Sequence, residues 1–511
     1  MRTPAPSLPP SQRTTYQFPV YRWIGWLTVA GFAAGLTVMF FISGMFGIPA
    51  PLGWAALVVI FTVGTLLLDR PKMLLGVMLF YFLLMPGNRV FGLVGLPLPT
   101  FLDELFFMPL IAVIVMNWIQ RRQLREATVF PLVFGLVAAL SWYVNRPSLF
   151  TAVQVTLIML KSYILWYYCR LTCTFENERQ LLRWIWIYCG YAAVQFFYNV
   201  LWQQGIWLKF HPDASGGVFG PAGAGGAHIV GYISIFALLL IAGWWVGAGR
   251  RARPGKRRLV LLMVVLIAYD LIFMTDTKHG LVLMPIAFLP FLLHPQFPAR
   301  LRVGLLAGAA CFLVASFAYF QIALGGNKFR PFFTSFSQSP KGQMLYAVTV
   351  DFRHLVPYTL LGAGPGRFAS QQAVESRTSL ARRYIIPYVD EQRRLGYFSG
   401  ALSGTAAASS MLGIPNTDLF VLMGEFGWLG ALAYYAFIVW VAAKLWRKSR
   451  QHSLDRPATG FFIALCSCLI FFAFTTTLLP TATVPVLAFP LWILIGRTWD
   501  MRLDEPTTEP A

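Results

Sequence analysis

The feature that most constrains this chain is the recurrence of apolar stretches near bilayer length. About 20 apolar residues cross a hydrocarbon core as a helix. On that criterion the sequence holds fourteen candidate spans, at 22–43, 52–68, 73–90, 100–119, 127–145, 148–169, 184–203, 227–248, 259–275, 280–293, 303–324, 418–444, 460–479 and 482–497. Every second connection is basic: DRPK at 69–72, RRQLR at 121–125, 170–183, GRRARPGKRR at 249–258, 294–302 and RKSRQH at 447–452. The short connections between them, near 44–51, 145–147 and 480–481, are almost uncharged. Lys and Arg concentrate in cytoplasmic loops, so the pattern predicts cytoplasmic tails at 1–21 and 498–511. The first span is too long for a signal-peptide core and is expected to be retained.

Composition agrees with a membrane protein. Hydrophobic residues make up 57% of the 511 and charged residues 12%, against about 25% charged in soluble domains. A net charge of +21 would suggest nucleic acid as partner in a soluble chain; here the excess sits largely in loops, and no nucleic-acid partner is expected. Of six cysteines, Cys189, Cys311, Cys466 and Cys468 fall in apolar spans, while Cys169 and Cys173 lack the second pair a zinc site needs. Neither a metal, a cofactor nor a disulfide framework is predicted.

One segment breaks the charge alternation. Residues 325–415 form a long connection on the predicted outer side, with ten Lys or Arg (Lys328, Arg330, Lys341, Arg353, Arg367, Arg377, Arg382, Arg383, Arg393, Arg394) against four acids. Long loops translocate whatever their charge. Such a cluster beside a bilayer suits an anionic group, above all a phosphate or diphosphate, which arginine grips with a planar fork; a solvated or headgroup-facing surface is the alternative. Within it, Leu345, Val348, Phe352, Leu355 and Val356 recur at helical spacing, predicting an amphipathic helix on the membrane surface. The segments GGVFGPAGAGGAH (216–228) and GAGPGRF (362–368) follow no strand, which excludes a dinucleotide fingerprint; a close backbone approach to a sugar or phosphate is one reading, and a flexible surface loop is the favoured one for 216–228.

Polar residues at membrane depth mark cavities or pairs. TDTKHG at 275–280 packs Asp276, Lys278 and His279 into one outer turn, as a capping pair or as part of an anion site. Lys161 and Asp270 lie within spans and either snorkel or pair with a neighbouring helix. The helix from 418 opens with Asn416-Thr417-Asp418 and carries Glu425. Asn416 and Asp418 are good N-cap types, and seven residues put Asp418 and Glu425 on one face. Glu425 reads as a protonated or hydrogen-bonded packing residue. Gly424, Gly427 and Gly430 suit close helix approach.

These segments together resemble the O-antigen ligases and polysaccharide polymerases of bacterial envelopes, the WaaL-type and Wzy-type membrane enzymes. TDTKHG resembles the family's Ser-Arg-Gly turn with Lys278 at the arginine; YTLLGAGPGRF (358–368) is similar to its lGxGxgxF segment; NTDLFVLMGEFGWLG (416–430) is similar to its HNxxLxxxxExGxxG helix. The upstream Gly-rich segment matches a Gly-Phe-Gly/Pro-Asn segment more weakly. The resemblance covers about 215–440. The family histidine falls on Asn416 or Pro415, depending on register, and its absence favours a polymerase over a ligase.

The resemblance implies an all-α polytopic bundle of about 12–14 transmembrane helices with a large external loop containing amphipathic helices, in the bacterial inner membrane. It implies metal-independent glycosyl transfer from an undecaprenyl-diphosphate-linked glycan, with no cofactor. Lys278, Arg353, Lys341, Arg330 and Arg367 would meet the diphosphate, whose departure needs fixed cations. Asp418 and Asn416 would serve catalysis, with His279, His354 and Glu425 in support. A chain-length regulator and other polysaccharide assembly proteins are the partners implied. A transporter or an assembly protein of the membrane is the alternative class; the sequence shows none of the internal repeats expected of the former.

Overall fold

A computed structural model describes residues 128–203, 226–249, 252–275, 278–297, 340–355, 359–388, 390, 417–454, 456–478 and 485–501, with scattered positions at 107–118 and 299–318. The chain divides into two compact units, 1–117 and 118–511, and nearly all described residues belong to the second. The first three predicted spans lie outside the described residues.

Among the described residues every regular element is helical. In chain order they are α1 (Val129–Asn145), α2 (Leu149–Thr172), α3 (Glu178–Tyr198), α4 (Gly226–Gly247), α5 (Pro254–Tyr269), α6 (Lys278–Ala287) and α7 (Leu289–Leu293). Then come α8 (Pro340–Tyr346), α9 (Phe352–Leu355), α10 (Gln371–Glu375) and α11 (Ser379–Tyr384). The last four are α12 (Asp418–Glu425), α13 (Gly427–Gln451), α14 (Pro457–Leu478) and α15 (Pro485–Trp499). π-Helical turns extend α3 (Asn199–Gln203) and α5 (Asp270–Met274) and join α8 to α9 (Ala347–Asp351).

This is an all-α membrane protein. Four described helices are long and apolar enough to cross a bilayer: Leu149–Thr172, His228–Gly247, Gly427–Gln451 and Pro457–Thr477. The outward faces of shorter helices are apolar too. Leu136 is 61% exposed, Leu262 54% and Leu293 68%, and apolar belts of that kind are stable only where lipid covers them.

Helix α14 is the hub, packing against α4, α13, α6, α7 and α12. Its closest approach is glycine on glycine. A Cβ on Gly460 would stand 2.0 Å from the Gly243 carbonyl oxygen, and one on Gly243 2.5 Å from that of Gly460, the small-residue contact by which membrane helices gain dispersion energy. Helix α15 meets α2 the same way, with Gly496 against the Trp166 carbonyl at 2.4 Å. Around them Trp166, Phe437, Trp440, Trp492 and Trp499 make an aromatic core with centroid spacings of 4.9–6.2 Å.

The predicted basic connections that fall among the described residues gather at one end of this bundle. Arg170 pairs with Asp500 at 2.9 Å. Arg497 donates from Nε to the Cys173 carbonyl at 2.8 Å and lies over Phe175 and Trp184. His294 meets the Ser449 carbonyl at 3.3 Å, and the Leu454 N–H donates to Gln296. The opposite end, where α1 stops and α2 and α13 begin, carries the segment 340–388.

Candidate functional site at a helix hairpin

The expectation of one helix over 418–444 is corrected. Gly427, at φ +71°, stops α12 at Phe426 and starts α13, in the left-handed region that glycine enters without a Cβ penalty. The two helices fold back on each other: a Cβ built on Gly430 lies 3.8 Å from the Leu422 carbonyl oxygen, whereas eight residues of straight helix rise about 12 Å. Thr417, rather than Asn416 or Asp418, is the N-cap, accepting from the Phe420 N–H at 3.0 Å. Asp418 is fully buried at the start of α12, near Tyr434 and Tyr435 of α13. Tyr435 bonds Thr476 of α14 at 3.0 Å, and Lys161 and Ser162 of α2 are buried.

At the turn, the segment 359–370 is stitched to the hairpin through backbone. Ala363 N–H donates to the Gly424 carbonyl at 2.8 Å, Gly364 N–H to that of Glu425 at 3.1 Å, and Leu429 N–H to that of Leu360 at 3.2 Å. Helix α1 joins in: Ser141 donates to the Glu425 carbonyl at 2.9 Å and Asn145 to that of Gly362 at 2.9 Å. Gly362, Gly364 and Gly366 all have positive φ, at 72°, 98° and 80°. This alternation curls successive N–H groups inward.

What fills that concavity is the Glu425 side chain. Its Oε1 accepts from the N–H groups of Phe368, Ala369 and Ser370 at 2.8–3.0 Å, and Oε2 accepts from Gly366 N–H. The carboxyl is fully buried; burial pushes its pKa up and the N–H donors oppose that only in part. Four donors and no acceptor suit an ionised carboxylate rather than a protonated one. The backbone of 362–368 is thus occupied by an internal anion and does not offer itself to a sugar or phosphate. The glycines of α12 and α13 likewise admit a loop more than a helix: Gly424 faces the Phe368 ring at 2.1 Å from a built Cβ, and Gly427 faces the Leu360 carbonyl at 2.2 Å.

The expected amphipathic helix is present as α8, its π-helical turn and α9. Val348 and Phe352 are buried, Leu345 is half-buried and Leu355 is exposed, because the π turn rotates the last apolar position out of register. Val356 lies outside the described residues. The buried face meets protein: Phe352 packs edge-on against Phe368 at 4.9 Å. Tyr384 of α11 donates to Asp351 at 2.7 Å; its phenol is pushed up to about 12 by burial and by that carboxylate. Tyr388 bonds Gln343.

Of the predicted cations, Arg353 and Arg367 are exposed, each next in sequence to one ring of the Phe352–Phe368 pair. Arg367 also donates to the Asn145 carbonyl at 2.8 Å. Lys341 does not join them. It is 2% exposed, burial lowers its pKa to about 7, and twelve helical residues put it about 18 Å from Arg353 along the axis. His354 is exposed. Arg330, Asn416 and Asp276 lie outside the described residues, as do the side chains of Lys278 and His279, whose backbone opens α6.

Sequence reasoning missed Ser141, Asn145, Tyr434 and Tyr435. The i, i+4 pair of Ser141 and Asn145 at the end of an apolar helix, and a double tyrosine inside one, were the available signals. For Asp270 the structure selects pairing: Asn199 Nδ2 donates to Oδ1 at 2.7 Å. Both π turns begin at this pair.

No family model matches the chain. A stretch of 159 residues, 29% of the chain, is 28% identical to an SPX domain-containing membrane protein of Arabidopsis thaliana. The chain spans about a fifth of that relative's length, 21%.

Proposed function

We propose that the chain is a polytopic glycosyltransferase of the bacterial inner membrane, of the kind resembling O-antigen ligases and polymerases. In this reading it polymerises lipid-diphosphate-linked glycan repeats on the periplasmic face. Its bundle has 12–14 spans, both termini are cytoplasmic, and 325–415 is the external loop. One observation carries the reading. The two segments most like the family's, 358–368 and 416–430, are far apart in sequence, yet they meet backbone to backbone around Glu425. That supports a shared functional unit rather than two chance resemblances.

The reaction assigned to it forms a glycosidic bond from an acceptor hydroxyl to the donor's anomeric carbon as the bond to the diphosphate breaks. Arg353 and Arg367, with Lys278, stabilise the charge that develops on the diphosphate. The hydroxyl proton passes to Asp418, directly or through Tyr434 and Tyr435. Glu425, with its oxygens committed to four N–H groups, is structural.

The test is the length of surface glycans in cells producing each variant. Lys278→Ala and Arg353→Ala abolish long chains at normal protein levels, by roughly 2–4 kcal/mol of lost transition-state stabilisation, and Arg393→Ala leaves them unchanged. Asp418→Asn lowers activity about a hundredfold or more. Equal effects of all three cation variants would reduce the cluster to a surface. A deletion strain that keeps single repeats on the carrier supports a polymerase, and one that strands long chains there supports a ligase. Labelling from outside reaches a cysteine at 378 and not one at 253.

The broken helix α12–α13 favours a second reading, since transporters bind substrates at half-helix ends. Loss of lipid-linked glycan movement with normal chain length would select it.

A further inference from the structure

At the basic end of the bundle, away from the hairpin, α4, α5, α6 and α7 enclose an apolar cavity of about 430 Å³. Leu238, Ile241, Val264, Met284, Phe288 and Phe291 line it. Leu261, also on its wall, is 52% exposed, so the chamber opens sideways onto the apolar flank of α5. A dry chamber of this size, open to lipid rather than water, takes a hydrocarbon.

The mouth of the chamber is cationic. Arg257 and Arg258 lie one helical turn before the lining residues Val260 and Leu261 on α5, and Arg300 and Arg302 stand between the lining residues Phe297 and Gly304 in sequence. Two of them are held on opposite sides. Arg257 donates from Nε to the Gly249 carbonyl beyond α4 at 2.9 Å, and Arg302 donates from Nη2 to the His294 carbonyl beyond α7 at 2.9 Å. Among the described residues no carboxylate pairs with Arg258, Arg300 or Arg302, and the Arg302 Nε is buried without an acceptor. Trp245 lines the chamber, and Lys256 lies over Trp186 and Trp244 at 5.7 and 5.6 Å. Tryptophans in such a row mark the headgroup level of a bilayer.

A long apolar chamber whose opening at that level is ringed by arginines matches one ligand chemistry, an anionic headgroup carrying a hydrocarbon chain. Free phosphate would leave the chamber empty, and a zwitterionic lipid would leave the arginines without a net counter-charge. We propose that this cavity binds an anionic phospholipid, with one acyl chain in the chamber and the phosphate at its mouth between Arg257, Arg258, Arg300 and Arg302. The site is separate from the hairpin and independent of the glycosyltransferase reading.

Native mass spectrometry of the full-length protein tests it, after incubation in detergent with phosphatidylglycerol or with phosphatidylcholine. The parent protein retains phosphatidylglycerol at least fivefold over phosphatidylcholine. In the double variant Arg258→Gln/Arg300→Gln, whose side chains are exposed and whose thermal stability is unchanged, the preference falls below twofold. Ala242→Trp, which fills the chamber, reduces retention of both lipids. Equal retention by the parent, or an unchanged preference in the double variant, overturns the proposal. So does displacement of the lipid by 10 mM inorganic phosphate alone, or a dimer that covers the cavity and holds no lipid.

Discussion

The two ends of the described bundle are tied by opposite means. At the hairpin end the ties are backbone N–H groups converging on one carboxylate, Glu425, through glycines at positive φ. At the basic end, cationic side chains reach carbonyls and aromatic faces, as Arg497 does with Cys173, Phe175 and Trp184. Backbone converging on a side chain needs a fixed curvature and tolerates no added Cβ, whereas a long side chain reaching a carbonyl adjusts through its rotamers. The hairpin end is the stricter design, and mutation should find it so.

The largest effect is expected at Gly427. Gly427→Ala forces a methyl to 2.2 Å from the Leu360 carbonyl at a left-handed φ. It should cost more than about 4 kcal/mol, measured as lost thermal stability in detergent. Gly135→Ala, where a built Cβ meets nothing within 4 Å, should instead raise stability by about 0.5–1 kcal/mol. Similar outcomes at the two glycines would dissolve the contrast.

Next is Glu425→Gln, which turns an amide NH₂ toward N–H donors. The expected loss is about 3 kcal/mol, with faster proteolysis within 359–388 while the basic end stays protected. Full tolerance would mean that the carboxyl is neutral and the segment is held by its other contacts.

Lys341 probes the same end through charge. Its pKa is lowered to about 7 by burial, so the folded protein resists its protonation below the unfolded value near 10. The penalty is full below about pH 7 and vanishes as pH rises to about 10. Lys341→Met should therefore stabilise by several kcal/mol, at most about 5, at pH 6 and by little at pH 10, read from thermal unfolding at both pH values.

The smallest effect belongs to the basic end. Arg497→Gln removes one charge-assisted bond and two stacking contacts, and should cost about 1–2 kcal/mol with no change in proteolysis at 359–388. A loss matching that of Glu425→Gln would erase the difference between the ends.

The spans were legible because hydropathy is a local property. Those predicted from 127 to 293 and from 418 to 497 fall on helices, and their basic connections collect at one end. The amphipathic character of 340–355 was legible for the same reason, but its turn of register was not, since a π turn leaves no mark on the hydrophobic period. The site was read in part. Glu425 was legible as a hydrogen-bonded packing residue, while the burial of Asp418 and of Lys341 was not.

Sequence by itself determined that this is a membrane protein of apolar helices in which every second connection is basic, because each span carries its own burial signal. Only the tertiary structure decided that 418–444 folds back at Gly427, that Glu425 takes four N–H groups from residues 55–59 positions away, and that Asp270 answers to Asn199. A buried polar group must find its partners wherever packing brings them, and the partners of a carboxylate are set by three-dimensional proximity that no local period records.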